Sequence, residues 1–221
     1  MTITFYYPTN LTYWLNATYH DSMSIVAFLF LLFASKNLPE EINRKNILKI
    51  AAIIKITIVV VLRFTPHMGI FAFTSTEFIY YQVYLLFRYL LFSVGSLIAL
   101  GTLFVAFGKQ NRKYYGNYLL IAGILMEITY ILNVIVNFID VTVIMEDRYL
   151  NGIQSPDGKP FWYLKIAFYD IAMTIYVLAI SLFIVHSRKH EDKFLFLCFL
   201  ILIIRNIGGW PVSIIIKNVF T

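Results

Sequence analysis

Apolar stretches close to twenty residues long recur along this chain, and no other feature constrains its fold as much. A helix of that length matches the roughly 30 Å hydrocarbon thickness of a bilayer. The runs read as six spans: Ser22–Ser35, Ile47–Phe64, Phe78–Phe107, Asn117–Phe138, Phe161–Val185 and Phe194–Ile216. Lipid offers backbone N–H and C=O groups no partners, so a spanning segment must be a helix or part of a closed barrel. These runs are too long and too evenly apolar for barrel strands. The expected fold is an all-α, polytopic transmembrane bundle, one integral membrane domain over residues 1–221. Composition agrees: 60% of the residues are hydrophobic and 14% charged, whereas a soluble domain is about 25% charged.

The charge pattern orients such a bundle. The net charge of +6 sits in short clusters between the apolar runs, which is a topology signal and excludes a nucleic-acid-binding face. One set of connections carries Lys36, Arg44, Lys45 and Lys49, then Lys109, Arg112 and Lys113, then Arg188, Lys189 and Lys193. The alternate set is poor in cations: residues 1–21 and Thr65–Glu77 have no lysine or arginine, and Ile139–Pro160 sets Arg148 and Lys159 against four acids. Basic loops face the cytoplasm, so six spans put both termini outside, in a plasma membrane or an endomembrane. The sequons at Asn10 and Asn16 mark the same side and make the chain a candidate glycoprotein. No basic n-region or small-residue cleavage site marks a cleavable signal peptide. The first span is short, about 21 Å at 1.5 Å per residue. A helix beginning near Leu11 would correct this and draw His20 and Asp21 into the membrane; both readings stand.

Five spans hold an ionisable residue well inside: Lys55, Arg88, Glu127, Asp170 and Arg205. Each lies about 12–16 Å from the nearer end of its span, so the five share one plane near the bilayer centre. Facing lipid, each would cost about 2.5–3.5 kcal/mol. They are therefore expected to turn inward as a polar ligand or ion site, or to pair between helices as register-fixing salt bridges. Helical spacing gives them company: Glu127, Tyr130, Val134 and Asn137 on one face, and Asp170, Thr174 and Ser181 on another. Lys165, nearer a boundary, is expected to snorkel.

The sixth span adds Asn206 beside Arg205, then Gly208, Gly209, Trp210 and Pro211. Proline removes a backbone donor and frees the carbonyl four residues earlier, and glycines allow close approach. The segment reads as a hinge at Gly208, Gly209 and Pro211 that opens a polar pocket beside Arg205, or as a packing kink. Motifs of known chemistry are absent, and no cofactor or metal site is expected. His186 and His190 have the i, i+4 spacing of a metal pair, but their basic neighbours suggest a solvated turn. Cys198 reads as a small core residue.

These features yield three functional expectations. The first is a midplane site that binds or transports a small or amphipathic, anion-leaning ligand. The second is an intramembrane enzyme acting on a lipid or isoprenoid, with Glu127 and Asp170 as acid and base. The third is a non-catalytic subunit whose charges pair with membrane-protein partners.

Overall fold

Among the described residues, six helices of 12 residues or more follow one another around a closed ring. The computed structural model describes residues 4–6, 11–64, 67–69, 79–80, 82–87, 99–144 and 159–220, with backbone alone from Gly209 onward. The helices are α1 (Leu11–Asn37), α2 (Asn46–Phe64), α3 (Ala99–Gln110), α4 (Tyr118–Ile139), α5 (Pro160–Lys189) and α6 (Lys193–Phe220). Each packs against the next in chain order, and α6 returns to lie along α1. A single helical turn, Arg112–Tyr115, joins α3 to α4, and a π-helical turn over Asp140–Ile144 prolongs α4.

Among the described residues, three helices are long and apolar enough to cross a membrane: Ala17–Asn37 within α1, Tyr118–Ile144 and Pro160–Lys189. Such helices fit a membrane location. The 19-residue α2 carries three cations, Lys49, Lys55 and Arg63. Of the expected third span, residues 79–80 and 82–87 and α3 are helical, while Arg88 lies outside the described residues.

Two expectations are corrected here. The first helix starts at Leu11, not Ser22, which settles its length in favour of the longer reading. Hydropathy fades before Ser22 because Asn16, Thr18, His20 and Asp21 are polar, but contacts with α6 hold this part of the helix in place. The Tyr19 hydroxyl donates to the carbonyl of Ile204 (3.0 Å), and Arg205 Nε donates to the carbonyl of His20 (3.1 Å). The second correction is a strand pair that the apolar runs do not announce. Strand β1 (Thr4–Tyr6) pairs antiparallel with β2 (His67–Gly69), with Phe5 opposite Met68.

Helix backbones come close where α3 meets α4. A Cβ built on Gly108 would stand 2.7 Å from the backbone nitrogen of Leu120, and one on Gly123 would stand 2.9 Å from that of Val105. Nearby, Phe104, Phe183 and Phe199 from α3, α5 and α6 are buried together, the last two stacked 4.1 Å apart and nearly parallel. At the end carrying the most basic connections, buried Asn111 ties the 38–45 loop to α3. Its Nδ2 donates to the carbonyls of Asn43 and Phe107, and its Oδ1 accepts from the Asn43 N–H.

A candidate ligand cavity inside the helix ring

Every one of the six helices sends side chains to one central cavity of about 140 Å³. α1 contributes Ser24 and Phe28, α2 Lys55, and α3 Leu100. α4 presents Met126, Thr129, Tyr130 and Asn133, α5 Met173 and Tyr176, and α6 Leu202, Arg205 and Asn206. Lys55 is only 8% exposed, so its ammonium belongs to the interior of the ring. Ala51 and Ala52, one turn earlier on the same helix, are buried as well.

Arg205 is held by its neighbours. Nε binds the His20 carbonyl, which also accepts from Ser24 Oγ (2.8 Å), and Nη1 reaches Asn206 Oδ1 at 3.5 Å. Asn206 Nδ2 in turn donates to the carbonyl of Leu202 (2.8 Å). The guanidinium is thus anchored through Nε to α1, and its terminal nitrogens lie at the cavity. Asp21, one residue from that anchor, acts electrostatically on Lys55 together with Arg205. Sequence reading noted Asp21 only as a residue that a longer first helix would bury. Its position, three residues before the cavity residue Ser24 in that helix, is the signal that identifies it as the local counter-charge.

The five ionisable residues expected at one midplane site are only partly brought together. Lys55, Arg205 and Asn206 meet at the cavity. Glu127 turns away to the α3–α4 contact, where its Oε1 accepts from Thr102 Oγ1 (2.8 Å) and its side chain lies against Gly101. Asp170 is exposed, as are Thr174 and Ser181. The expected inward stripe of α5 therefore faces outward, and the ring-facing side is instead Ala172, Tyr176, Ala179, Ile180 and Phe183. Bulk decides this orientation: a face alternating alanine with large apolar side chains packs into helix grooves better than one carrying a carboxylate. The two carboxylates considered as an acid–base pair thus lie on different helix faces, off the cavity. Arg88 falls outside the described residues.

Residues expected to break the last helix sit within continuous helix: α6 runs through Gly208, Gly209 and Pro211 to Phe220. Gly208 has a local reason. A Cβ there would collide with the Tyr19 hydroxyl, which needs that space to reach the Ile204 carbonyl. Asn16 lies inside α1, and Asn10 lies outside the described residues.

Two further groupings lie away from the cavity. Lys165 does not stand alone near its boundary: Nζ pairs with Asp140 at 2.5 Å and sits 5.2 Å from the Trp162 ring centre. At the opposite end, His186 is fully buried against Tyr115 and His190, with ring centres 4.5 Å away in both cases. Among the described residues neither His186 ring nitrogen has a hydrogen-bond partner, and the side chain is buried, so the expected solvated turn does not hold for this residue. Packing against three aromatic neighbours outweighs the basic residues beside it in sequence. Burial, with the Lys189 charge second, holds His190 below the usual 6.5 of histidine, while Asp192 opposes the shift. Burial pushes the Asp192 carboxyl above its usual range despite the N–H of Leu195 donating to Oδ1. Among the described residues, no three His, Cys, Asp or Glu side chains gather closely enough to share a metal ion. Cys198 is buried.

No known family's sequence profile matches the chain, and neither a curated protein nor a solved structure matches it.

Proposed function

We propose that this is a multi-pass membrane protein of six spans, both termini outside, that binds and carries a small amphipathic anion in the central cavity. The observation that carries this reading is that Lys55 and Arg205 line one cavity with no carboxylate among its described walls, Asp21 acting on Lys55 from outside that lining. Around the two cations stand hydroxyl and amide groups from Ser24, Thr129, Tyr130, Asn133, Tyr176 and Asn206. Phe28, Leu100, Met126, Met173 and Leu202 supply an apolar wall. Charge-assisted hydrogen bonds to a carboxylate-like head are the strong kind, and the apolar wall suits a short tail. The small volume limits the ligand to a few heavy atoms.

Thermal unfolding of the detergent-solubilised protein tests this with a matched pair of probes, butanoate and butylammonium. At a hundredfold excess over Kd, butanoate should raise Tm by about 5–10 °C, the equivalent of about 2.7 kcal/mol of linkage. Butylammonium should leave Tm unchanged, and Lys55→Met and Arg205→Gln should each abolish the butanoate shift. Equal shifts from both probes, or a butanoate shift retained in both variants, would refute the proposal.

A further inference from the structure

The outward face of α5 carries a feature unsuited to lipid. Asp170 is the eleventh residue of Pro160–Lys189, about 15 Å from the start of the helix. On the membrane-spanning reading, that is mid-depth. α5 is also the least enclosed of the membrane-length helices, with 22% of its apolar window buried against 39% for Tyr118–Ile144. Ala167, Asp170, Thr174, Val177 and Ser181, separated alternately by three and four residues, are all exposed. That alternation is the seam along which one helix packs on another.

The polar groups on this seam differ in their needs. The Thr174 hydroxyl donates to the Asp170 carbonyl and the Ser181 hydroxyl to the Val177 carbonyl, each at 2.8 Å, so both are satisfied by their own helix. The Asp170 carboxylate makes no hydrogen bond or ion pair among the described residues. Lys165, one and a half turns earlier, does have its counter-ion in Asp140. A carboxylate at this depth is costly in hydrocarbon and is relieved by a cation brought to it. The small side chains Ala167, Thr174 and Ser181 let a second backbone come close enough to deliver one.

We infer that the outer face of α5 docks a transmembrane helix of another protein that carries a lysine or arginine at mid-depth, paired with Asp170. The inference rests on α5 lying in the bilayer and is independent of the ligand cavity.

A photo-crosslinking residue at Val177, in the full-length protein in its native membrane, reads the neighbour directly, with one at Val60 on α2 as the control face. The expected result is one protein adduct from Val177 whose crosslinked span holds a mid-depth Lys or Arg. Its yield should fall about 3- to 15-fold in Asp170→Asn, the range of interhelical polar contacts in bilayers, while Val60 adducts do not change. Asp170→Lys should lose the adduct, and reversing the partner's basic residue to Asp should restore it. Adducts to lipid alone, to a second copy of this chain, or to a span without a basic residue would each overturn the proposal, as would a yield indifferent to Asp170→Asn. Labelling of a cysteine at Thr174 by an impermeant thiol reagent would show the helix in water and overturn the membrane-spanning reading of α5 as well.

Discussion

Tyr19 and Gly208 form the smallest unit in which sequence and structure explain each other. Tyr19 crosses from α1 to α6 and donates to the Ile204 carbonyl, and only a residue without a Cβ at 208 leaves space for its hydroxyl. Gly208→Ala would displace the far end of a flexible side chain and not the backbone, so the expected loss is that of one hydrogen bond, about 0.5–1.5 kcal/mol. Tyr19→Phe should cost a similar amount, and the double variant should cost no more than either alone. Denaturant or thermal unfolding in detergent measures the cycle; additive losses would show that the two residues act separately. At this scale the sequence was legible in kind but not in direction. Lys55, Arg205 and Asn206 stand out as polar residues in apolar runs, and they do share a cavity. Asp170 stands out equally and faces away from the ring. Hydropathy marks a residue as costly in lipid, but the azimuth of a helix depends on which of its faces fills its neighbours' grooves, which is a property of six helices at once.

Between elements, glycine sets the α3–α4 spacing. Gly108 and Gly123 each place bare backbone against the partner helix; a methyl group added at Gly108 meets main chain, and one at Gly123 meets the Val105 main chain and its Cγ2 at 3.0 Å. Gly108→Ala should part the two helices and cost about 1–3 kcal/mol as overpacking. Gly116→Ala provides the contrast: its φ is +64° with ψ −146°, and nothing lies within 4 Å of a Cβ there, so its cost is backbone strain of about 1–3 kcal/mol. Repacking distinguishes these sites: Val105→Ala removes the Cγ2 that stands 3.0 Å from a Cβ at Gly123 and should recover part of a Gly123→Ala loss, but none of the Gly108→Ala or Gly116→Ala loss. Sequence reading located the apolar runs to within a few residues for α2, α4, α5 and α6. It missed the start of α1 because the stabilising contacts there are with a helix nearly two hundred residues later, Tyr19 with Ile204 being 185 positions apart. The short β1–β2 pair has the same character: its strands are three residues each, too brief for an alternating pattern to show.

For the whole molecule, the orientation we propose follows from the charged connections. A cysteine placed at Gln110 should resist impermeant thiol reagents in intact cells, while cysteines at Thr74 and Gln154 should react. The reverse pattern would invert the topology, and reaction at all three would remove the membrane-spanning arrangement. Natural Cys198 is buried and should stay silent in the folded protein.

The ring closes where α1 meets α6, the first and last of the described long helices. On the membrane-spanning reading we propose, Tyr19, the His20 carbonyl and the cavity side of α1 must wait in the membrane during synthesis until Arg205 and Ile204 have left the ribosome. At roughly 5–20 residues per second, that wait lasts about 10–40 s. Throughout it, the growing chain is an open arc with an uncovered polar edge, and the cavity does not yet exist. Such an intermediate is a natural client for an insertion chaperone that shields polar membrane surfaces. A truncation ending before Arg205 should remain bound to that chaperone, while the chain that includes the Tyr19 and His20 contacts should be released.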